Sequence, residues 1–367
     1  MSNVTKNTYL PDYLVTPGEV LLDFLEGLNI TQAELSDRTG LTRKTINGII
    51  KAKEPISSET ALKLERTLGR SAQYWSNLER NYQGDKVRLA EKMRMEAQLH
   101  WLDNFPINEM AKLGWIQKTK DKVEQLEILL RFFGIASPNQ WVTFWGNLEV
   151  NYRQTTKQEK SVEAISAWLR QGEIEAKQIK CALYDSKRLL ENIDKIRALT
   201  MEKDPEIFIP ALVDLCSGTG VVVVFVPALK KIGCHGSTRW IGDKPVIQLS
   251  FYLKSNDQFW FTFFHEIGHI LKHGRKDFFL EGTQQENKKE EEANAFARDK
   301  LIPPVQLKKF LQDHKPPALT DIGHFAREIG IAPGIVVGRL QREGILSWKI
   351  GNHFKVYYEW EKHEVRS

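Results

Sequence analysis

Residues 265–269 read His265-Glu266-Ile267-Gly268-His269. Two imidazoles four residues apart fall on one face of a helix, a spacing that lets both reach a single zinc ion. Glu266 follows the first histidine, where a water polarised by that ion would need a proton acceptor. As a metal site the string makes the chain a hydrolase; as an ordinary buried helix it holds two satisfied histidines. A catalytic zinc takes a third protein ligand and leaves its fourth position to water. The run Glu290-Glu291-Glu292-Ala293-Asn294-Ala295-Phe296-Ala297 offers three carboxylates downstream. Ala293, Phe296, Ala297 and Leu301 mark the apolar face of a helix there. At about 100° per residue Glu290 falls within that face, Glu292 on its flank and Glu291 opposite. Glu290 is the expected third ligand, with Glu292 in reserve and Glu291 a solvated charge. His273 continues the histidine face, but at about 1.5 Å per residue two turns is too far to share the ion of His265. Lys272, His273 and Gly274 do not supply the glycine hinge and third histidine of the extended zinc motif.

These residues need a buried frame. A helix is expected from near Asn256-Asp257, where an N-cap precedes an apolar run. Phe259, Trp260, Phe263, Phe264, Ile267, Ile270 and Leu271 cover most of its circumference, leaving a stripe of Gln258, Thr262, His265, His269 and His273. A polar stripe on a buried helix needs partners, and a metal would satisfy it. Val221–Val226 is a β-branched and aromatic run bounded by Gly218, Gly220 and Pro227, and predicts a buried strand. Pro245–Ser250 predicts a second. Between them Lys230–Trp240 reads as a loop or hairpin that could line the cleft, with His235 or Arg239 either steadying an oxyanion or lying on the surface.

The His-Glu-Ile-Gly-His string, the Glu-x-x-Ala-Asn-x-Phe-Ala helix and the Leu301-Ile302-Pro303 ending together resemble the ImmA/IrrE metallopeptidases, over residues 205–345. The resemblance implies an intracellular zinc-dependent endopeptidase that cleaves transcriptional repressors, with His265 and His269 as ligands and one Zn2+ per chain.

The other end of the chain carries a different chemistry. Thr31-Gln32-Ala33-Glu34 reads as a capping box opening a helix with Ala33 and Leu35 inward. Gly40 ends it, and Thr42 caps a second helix carrying Ile46, Ile49 and Ile50 inward, the pattern of a helix-turn-helix. That second helix exposes Arg43, Lys44, Thr45, Asn47 and Lys51, a set able to reach base edges and phosphates in a major groove. Residues 17–82 also resemble the HigA-type antitoxin DNA-binding domain of the Xre/Cro class. The shared pattern is Gln32-Ala33-Glu34-Leu35, Lys53-x-Pro55-Ile56-Ser57, Ala61-x-x-Leu64 and Tyr74-Trp75-x-Asn77-Leu78. By that resemblance the chain binds a palindromic double-stranded operator as a homodimer, with Gln32 on a phosphate and Arg43, Lys44, Thr45 and Asn47 facing bases. Thr42 and Lys51 complete the candidate DNA-binding set. Tyr74 and Trp75 read as core or dimer-contact residues.

At 367 residues the chain can hold two or three domains. Its net charge of +5 with 27% charged residues is only mildly basic, so nucleic-acid binding must come from a local patch. Cys181, Cys216 and Cys234 show no paired spacing and fit free thiols in a reducing cytoplasm. The polar start lacks a signal peptide, and no apolar run reaches the length of a membrane span. The expected division is an N-terminal arm (1–16), a helix-turn-helix domain (17–85), a helical connector (86–204) and a metallopeptidase domain (205–367). The connector shows Lys86–His100, an amphipathic Val123–Phe133, Ser161–Leu169 and Ile174–Leu199 as helices, with Trp141, Phe144 and Trp145 as packing residues. Asp321–Leu340 resembles a second helix-turn-helix. Pro333, Gly334, Ile335 and Val337 occupy its reading slots, so it is expected to pack rather than bind DNA. His353–Trp360 is expected to add a closing strand.

The fold class expected is multidomain and mainly α: a helical bundle, a connector, and a zincin-like α+β domain with a small sheet. The function expected is a cytoplasmic DNA-binding regulator of antitoxin or repressor type whose zinc endopeptidase cleaves a regulatory protein partner or itself, with that substrate or a cognate toxin as its protein partner. The alternatives are a non-catalytic antitoxin or repressor whose metal domain serves as sensor or binding module, and a zinc-stabilised structural fold without a DNA target.

Overall fold

Hydroxyl side chains open each of the first five α-helices among the described residues. Thr16, Thr31, Thr42, Ser57 and Ser71 each accept a backbone N–H three residues on, satisfying a donor the helix itself cannot. They start α1 (Pro17–Gly27), α2 (Gln32–Thr39), α3 (Arg43–Ile50), α4 (Ser58–Leu68) and α5 (Ala72–Ala97). Gly40, at φ 67°, ends α2 in the left-handed region where a side chain would be strained. Half of the capping box expected at Thr31 forms: its hydroxyl accepts from Glu34 N at 3.1 Å, whereas the Glu34 carboxylate pairs with Arg38. The computed structural model describes residues 14–152, 161–233, 235–250, 255–273, 279–280 and 287–358. Most of the expected N-terminal arm therefore lies outside the described residues, as does Cys234.

Leu21, Leu25, Leu35, Ile46, Ile49, Ile56, Leu64 and Trp75 form the core of this unit. α1 crosses α3 at Gly18, where a Cβ would stand 2.2 Å from the Ile49 carbonyl oxygen, so only glycine permits the approach. α5 runs unbroken through the boundary expected after residue 85, and the chain divides instead into residues 1–100 and 101–367. Nothing in the stretch around 85 breaks a helix: Gly84 is its single glycine, and no proline lies between Gln83 and Ala90.

The second unit begins with α6 (Ile107–Lys112), α7 (Lys122–Phe133) and α8 (Pro138–Tyr152). Trp101, Phe105, Phe133 and Trp141 pack edge to face or, between the two phenylalanines, tilted, with ring centroids 4.5–6.4 Å apart. Phe144, expected to pack with Trp141 and Trp145, is 70% exposed; it lies three residues from Trp141 and is turned outward. The single helix expected over Ile174–Leu199 is two, α9 (Val162–Ala176) and α10 (Ser186–Ala198). The break has a partner: Ala182 and Asp185 donate their amides to the Ser217 and Thr219 carbonyls, and Asp185 then caps α10.

After α11 (Pro205–Gly218) come β1 (Val222–Phe225), β2 (Gly236–Ile241), β3 (Lys244–Leu249), α12 (Asn256–Lys272) and β4 (Phe279–Leu280). The sheet order is β1-β3-β2-β4, with β1 parallel to β3 and the other pairs antiparallel. The Lys230–Trp240 stretch, expected as a loop or hairpin, enters the first strand of a hairpin at Gly236. Gly242 at φ 61° makes the two-residue turn of the β2–β3 hairpin.

Successive strand residues point to opposite faces. On β2, Thr238 bonds Glu266 of α12, and its neighbour Arg239 donates to the Leu169 carbonyl of α9. α12 and α9 thus cover opposite faces of the sheet. Trp168 Nε1 donates to the Val226 carbonyl at 3.0 Å, and Gln248 Nε2 donates to the Trp168 carbonyl at 2.6 Å. Residues expected in a connector therefore build one layer of the sheet domain.

α13 (Asn287–Leu301), α14 (Pro304–Asp313), α15 (Leu319–Glu328) and α16 (Pro333–Arg342) complete the unit. Ile322, Phe325, Val336 and Leu340 join the core around α12, so the Asp321–Leu340 pair packs, as its apolar slots require. The closing strand expected over His353–Trp360 is reduced to a bridge between Ser255 and Tyr357. The backbone of Val356 is instead taken by Asn256, at 2.8 Å and 3.2 Å, which seats this segment on the start of α12; residues 359–360 lie outside the described residues.

Candidate metal centre

α12 and α13 approach closely because residue 268 is glycine. A Cβ there would meet the Ala293 Cα at 3.0 Å, so any side chain would push the two helices apart. The close approach carries Glu290 over the histidine face of α12. Glu290 Oε2 lies 3.3 Å from His265 Nε2 and its Oε1 lies 3.4 Å from His269 Nε2. The two Nε2 atoms are 2.9 Å apart. His265, His269 and Glu290 are the group among the described residues whose ligand atoms all fall within 4.8 Å of one another. Glu292 points elsewhere, to His273 Nε2 at 3.2 Å, and is 45% exposed; Glu291 is exposed.

The far side of each imidazole is also held. His265 Nδ1 bonds Asn294 Oδ1 at 3.0 Å. An amide oxygen only accepts, so Nδ1 carries the proton and the Nε2 lone pair faces Glu290 and His269. His269 Nδ1 meets His273 Nδ1 at 3.0 Å, and the His273 side chain is almost wholly buried. If His269 Nε2 is the ligand atom, its Nδ1–H donates to His273, whose Nε2–H donates to Glu292. Such outer contacts fix the tautomer and the ring plane of a metal ligand.

Glu266 is 1% exposed. Its Oε2 accepts from the Thr238 hydroxyl at 2.6 Å. Gly236, two residues earlier on β2, leaves space for the other oxygen, since a Cβ there would fall 2.6 Å from Glu266 Oε1. Charge follows geometry. Burial depresses the pKa of His269, which favours the neutral imidazole that a metal requires, although Glu290 opposes the shift. Burial would raise the Glu290 carboxyl, but the pull of His265 and His269, exerted when their Nε2 atoms are protonated, prevails and holds it at about 2. Two converging imidazole nitrogens and an ionised carboxylate are a donor set suited to zinc.

Asn294, Thr238 and Gly236 were not foreseen. Asn294 stands four residues after Glu290, on the same helical face, and could have been found from that spacing. Thr238 and Gly236 depend on the register of β2, which no local pattern reveals. Arg239, one of two expected oxyanion donors, is on the opposite face of the sheet, buried against α9, where burial lowers its pKa to about 10. His235 lines the cavity that adjoins the centre.

In the N-terminal unit, Thr42, Arg43, Lys44 and Lys51 are exposed, and Gln32, Thr45 and Asn47 are half-buried. Thr42 is engaged as the cap of α3, accepting from Thr45 N at 3.1 Å, with the two hydroxyls 3.0 Å apart. Trp75 is buried and Tyr74 partly exposed, both stacked edge to face with Phe24.

Family models match two stretches of the chain: a helix-turn-helix over residues 21–75, and an IrrE N-terminal-like domain over residues 216–341. The first contains α2 and α3; the second contains the sheet, α12 and α13. Among solved structures, the chain is similar to the Pseudomonas aeruginosa antitoxin HigA with the higBA promoter. The identity is 30%, covering 23% of this chain and 94% of that one, with a TM-score of 0.22. A second Pseudomonas aeruginosa structure, of a protein in complex with its 28-bp operator DNA, is 31% identical over 23% of this chain and 94% of that one, also at 0.22. A HigA-family antidote protein from Coxiella burnetii is 23% identical, covering 23% and 91%, at 0.22. No curated protein matches. No helix among the described residues is long and apolar enough to cross a membrane.

Proposed function

We propose, for a chain that carries a helix-turn-helix domain of the Xre type and an IrrE N-terminal-like, metallopeptidase-family domain, that it is a cytoplasmic operator-binding regulator with zinc-dependent endopeptidase activity. The observation that carries the peptidase half is the convergence of His265, His269 and Glu290, with the buried Glu266 carboxylate beside it on the same helix. Bound there, zinc would supply a Lewis acid that polarises a carbonyl and brings the pKa of water toward neutrality. Glu266 accepts the proton of the attacking water and returns it to the departing amine. Thr238 orients Glu266 for both transfers, and Asn294 and His273 keep the ligand rings in place. Exclusion of bulk water follows from the burial of all three α12 residues.

The DNA half rests on the family match and on the exposed Arg43 and Lys44 at the start of α3, where a recognition helix meets base edges. A homodimer on a palindromic operator, with a repressor, a cognate toxin or the chain itself as peptidase substrate, is the arrangement this reading predicts. Metal content tests it first. We expect one zinc per purified chain and loss of zinc in His265→Ala; less than about half an ion per chain, unchanged by that substitution, would remove the centre.

A further inference from the structure

The polar stripe of α12 runs past His265 toward the N-terminus of the helix and into a cavity of about 570 Å³. That is the size of a ligand site rather than of a packing defect. Thr262 and Asn294 line it, and Asn294 is the residue bonded to His265, so the cavity adjoins the metal-binding atoms. Leu301, Ile302 and Ile335 give it an apolar wall.

Its charges are unequal. Besides His235, five charged side chains line it: Asp257, Glu343, Arg298, Arg339 and Arg342. Asp257 is paired with Lys355 at 2.9 Å, with both side chains nearly buried, and Glu343 is paired with Arg339. The acids are thereby neutralised by their own neighbours. Arg298 and Arg342 are exposed, and neither is in an ion pair among the described residues. Arg342 lies with its Cζ 5.2 Å above the Phe261 ring, which holds the guanidinium at the cavity mouth. Two uncommitted guanidinium forks beside an aliphatic wall match a carboxylate carried next to an apolar group.

The geometry points to a substrate subsite, built from Arg298, Arg342 and the Leu301–Ile302–Ile335 wall, that takes an acidic side chain flanked by an apolar residue on the polypeptide being cut. It rests on the peptidase reading of the neighbouring centre and adds the class of sequence that centre selects. The volume exceeds one side chain, so the occupant is a stretch of polypeptide rather than a free amino acid.

The test measures binding without turnover. Zinc-loaded Glu266→Gln protein is titrated, with anisotropy as readout, against fluorescein-labelled Ala-Ala-Leu-Xaa-Leu-Ala-Ala peptides in which Xaa is Glu, Gln or Lys. We expect the Glu peptide to bind about tenfold tighter than the Gln peptide, with Lys weakest, as a charge-assisted pair supplies. In Arg298→Ala/Arg342→Ala protein the three affinities should converge to within about twofold while the Gln peptide is unchanged. Both arginines are exposed, so thermal unfolding should be little altered. Arg298→Glu should move the preference toward Lys. Equal affinities in the parent protein, no binding by any peptide, or a Glu preference that survives loss of both arginines would each overturn the subsite. Competition by free N-acetylglutamate as strong as by the Glu peptide would overturn its assignment to a polypeptide. Failure of the peptidase reading is seen separately, as equal cleavage by wild type and Glu266→Gln.

Discussion

Asn294 and His273 each hold the Nδ1 side of one of the two converging imidazoles, and they show how much of the candidate centre lies outside its signature. The spacing of His265 and His269 is legible because a helix has one period, and Glu290 followed from the apolar face of the next helix. Their outer partners depend on how α12 and α13 pack, which no single helix encodes. We expect Asn294→Ala and His273→Phe each to weaken zinc binding by about 10- to 100-fold in a chelator competition. His273→Gln, which keeps an acceptor for His269 Nδ1–H, should restore part of the loss; zinc affinity identical across all three variants would mean the rings are held by packing alone. The same residues set an acid limit. His269 and Glu290 have folded pKa values below their unfolded ones, so the folded state binds fewer protons than the unfolded state. Their contribution is complete above the unfolded histidine value of about 6.5 and is lost as pH falls, first through His269 and then toward the Glu290 value of about 2. Urea unfolding of metal-free protein should show stability declining below about pH 6.5; a flat profile between pH 7 and 4 would contradict this.

At the level of elements, periodicity carried the helices, and the sheet's partners were hidden. α7, α12 and the packed α15–α16 pair follow from apolar spacing, and β1 and β3 from β-branched runs. α9 also reads as a helix, yet nothing local to Trp168, Leu169 or Arg170 says that it covers a strand more than fifty residues away. That role appears only in the bonds from Trp168 to Val226 and from Gln248 and Arg239 back to α9. Trp168 is wholly buried. Replacing it with alanine should cost about 3–5 kcal/mol in chemical denaturation and lower zinc retention with it, because the sheet that carries Thr238 loses its backing. A loss below about 1 kcal/mol would place α9 outside the peptidase fold, as the connector expectation had it.

On the scale of the whole molecule, two chemistries share one chain without sharing residues. The compact units divide near residue 100 rather than 85, and residues 101–204 belong with the unit that carries the candidate metal centre. The N-terminal unit should therefore read DNA through its own surface. Arg43→Ala should weaken operator binding by about 1–3 kcal/mol if the side chain makes a bidentate base contact, and relax selectivity at one base pair. Zinc content should stay at the wild-type value, and an unchanged affinity in a gel-shift titration would remove Arg43 from the reading set. A helix-turn-helix domain joined to a metallopeptidase-family domain suits the proposed regulator, whose substrate would be chosen by partnership rather than by digestion.

The most direct measurement is proteolysis with and without the Glu266 carboxylate. Zinc-loaded wild type and Glu266→Gln protein are incubated with the repressor and toxin candidates encoded by the neighbouring reading frames, and products are followed by intact-mass spectrometry. The account predicts defined cleavage by wild type, abolished by chelation, and at least about a hundredfold slower in Glu266→Gln at unchanged zinc content. Equal processing by the two proteins, or none by either, would contradict it.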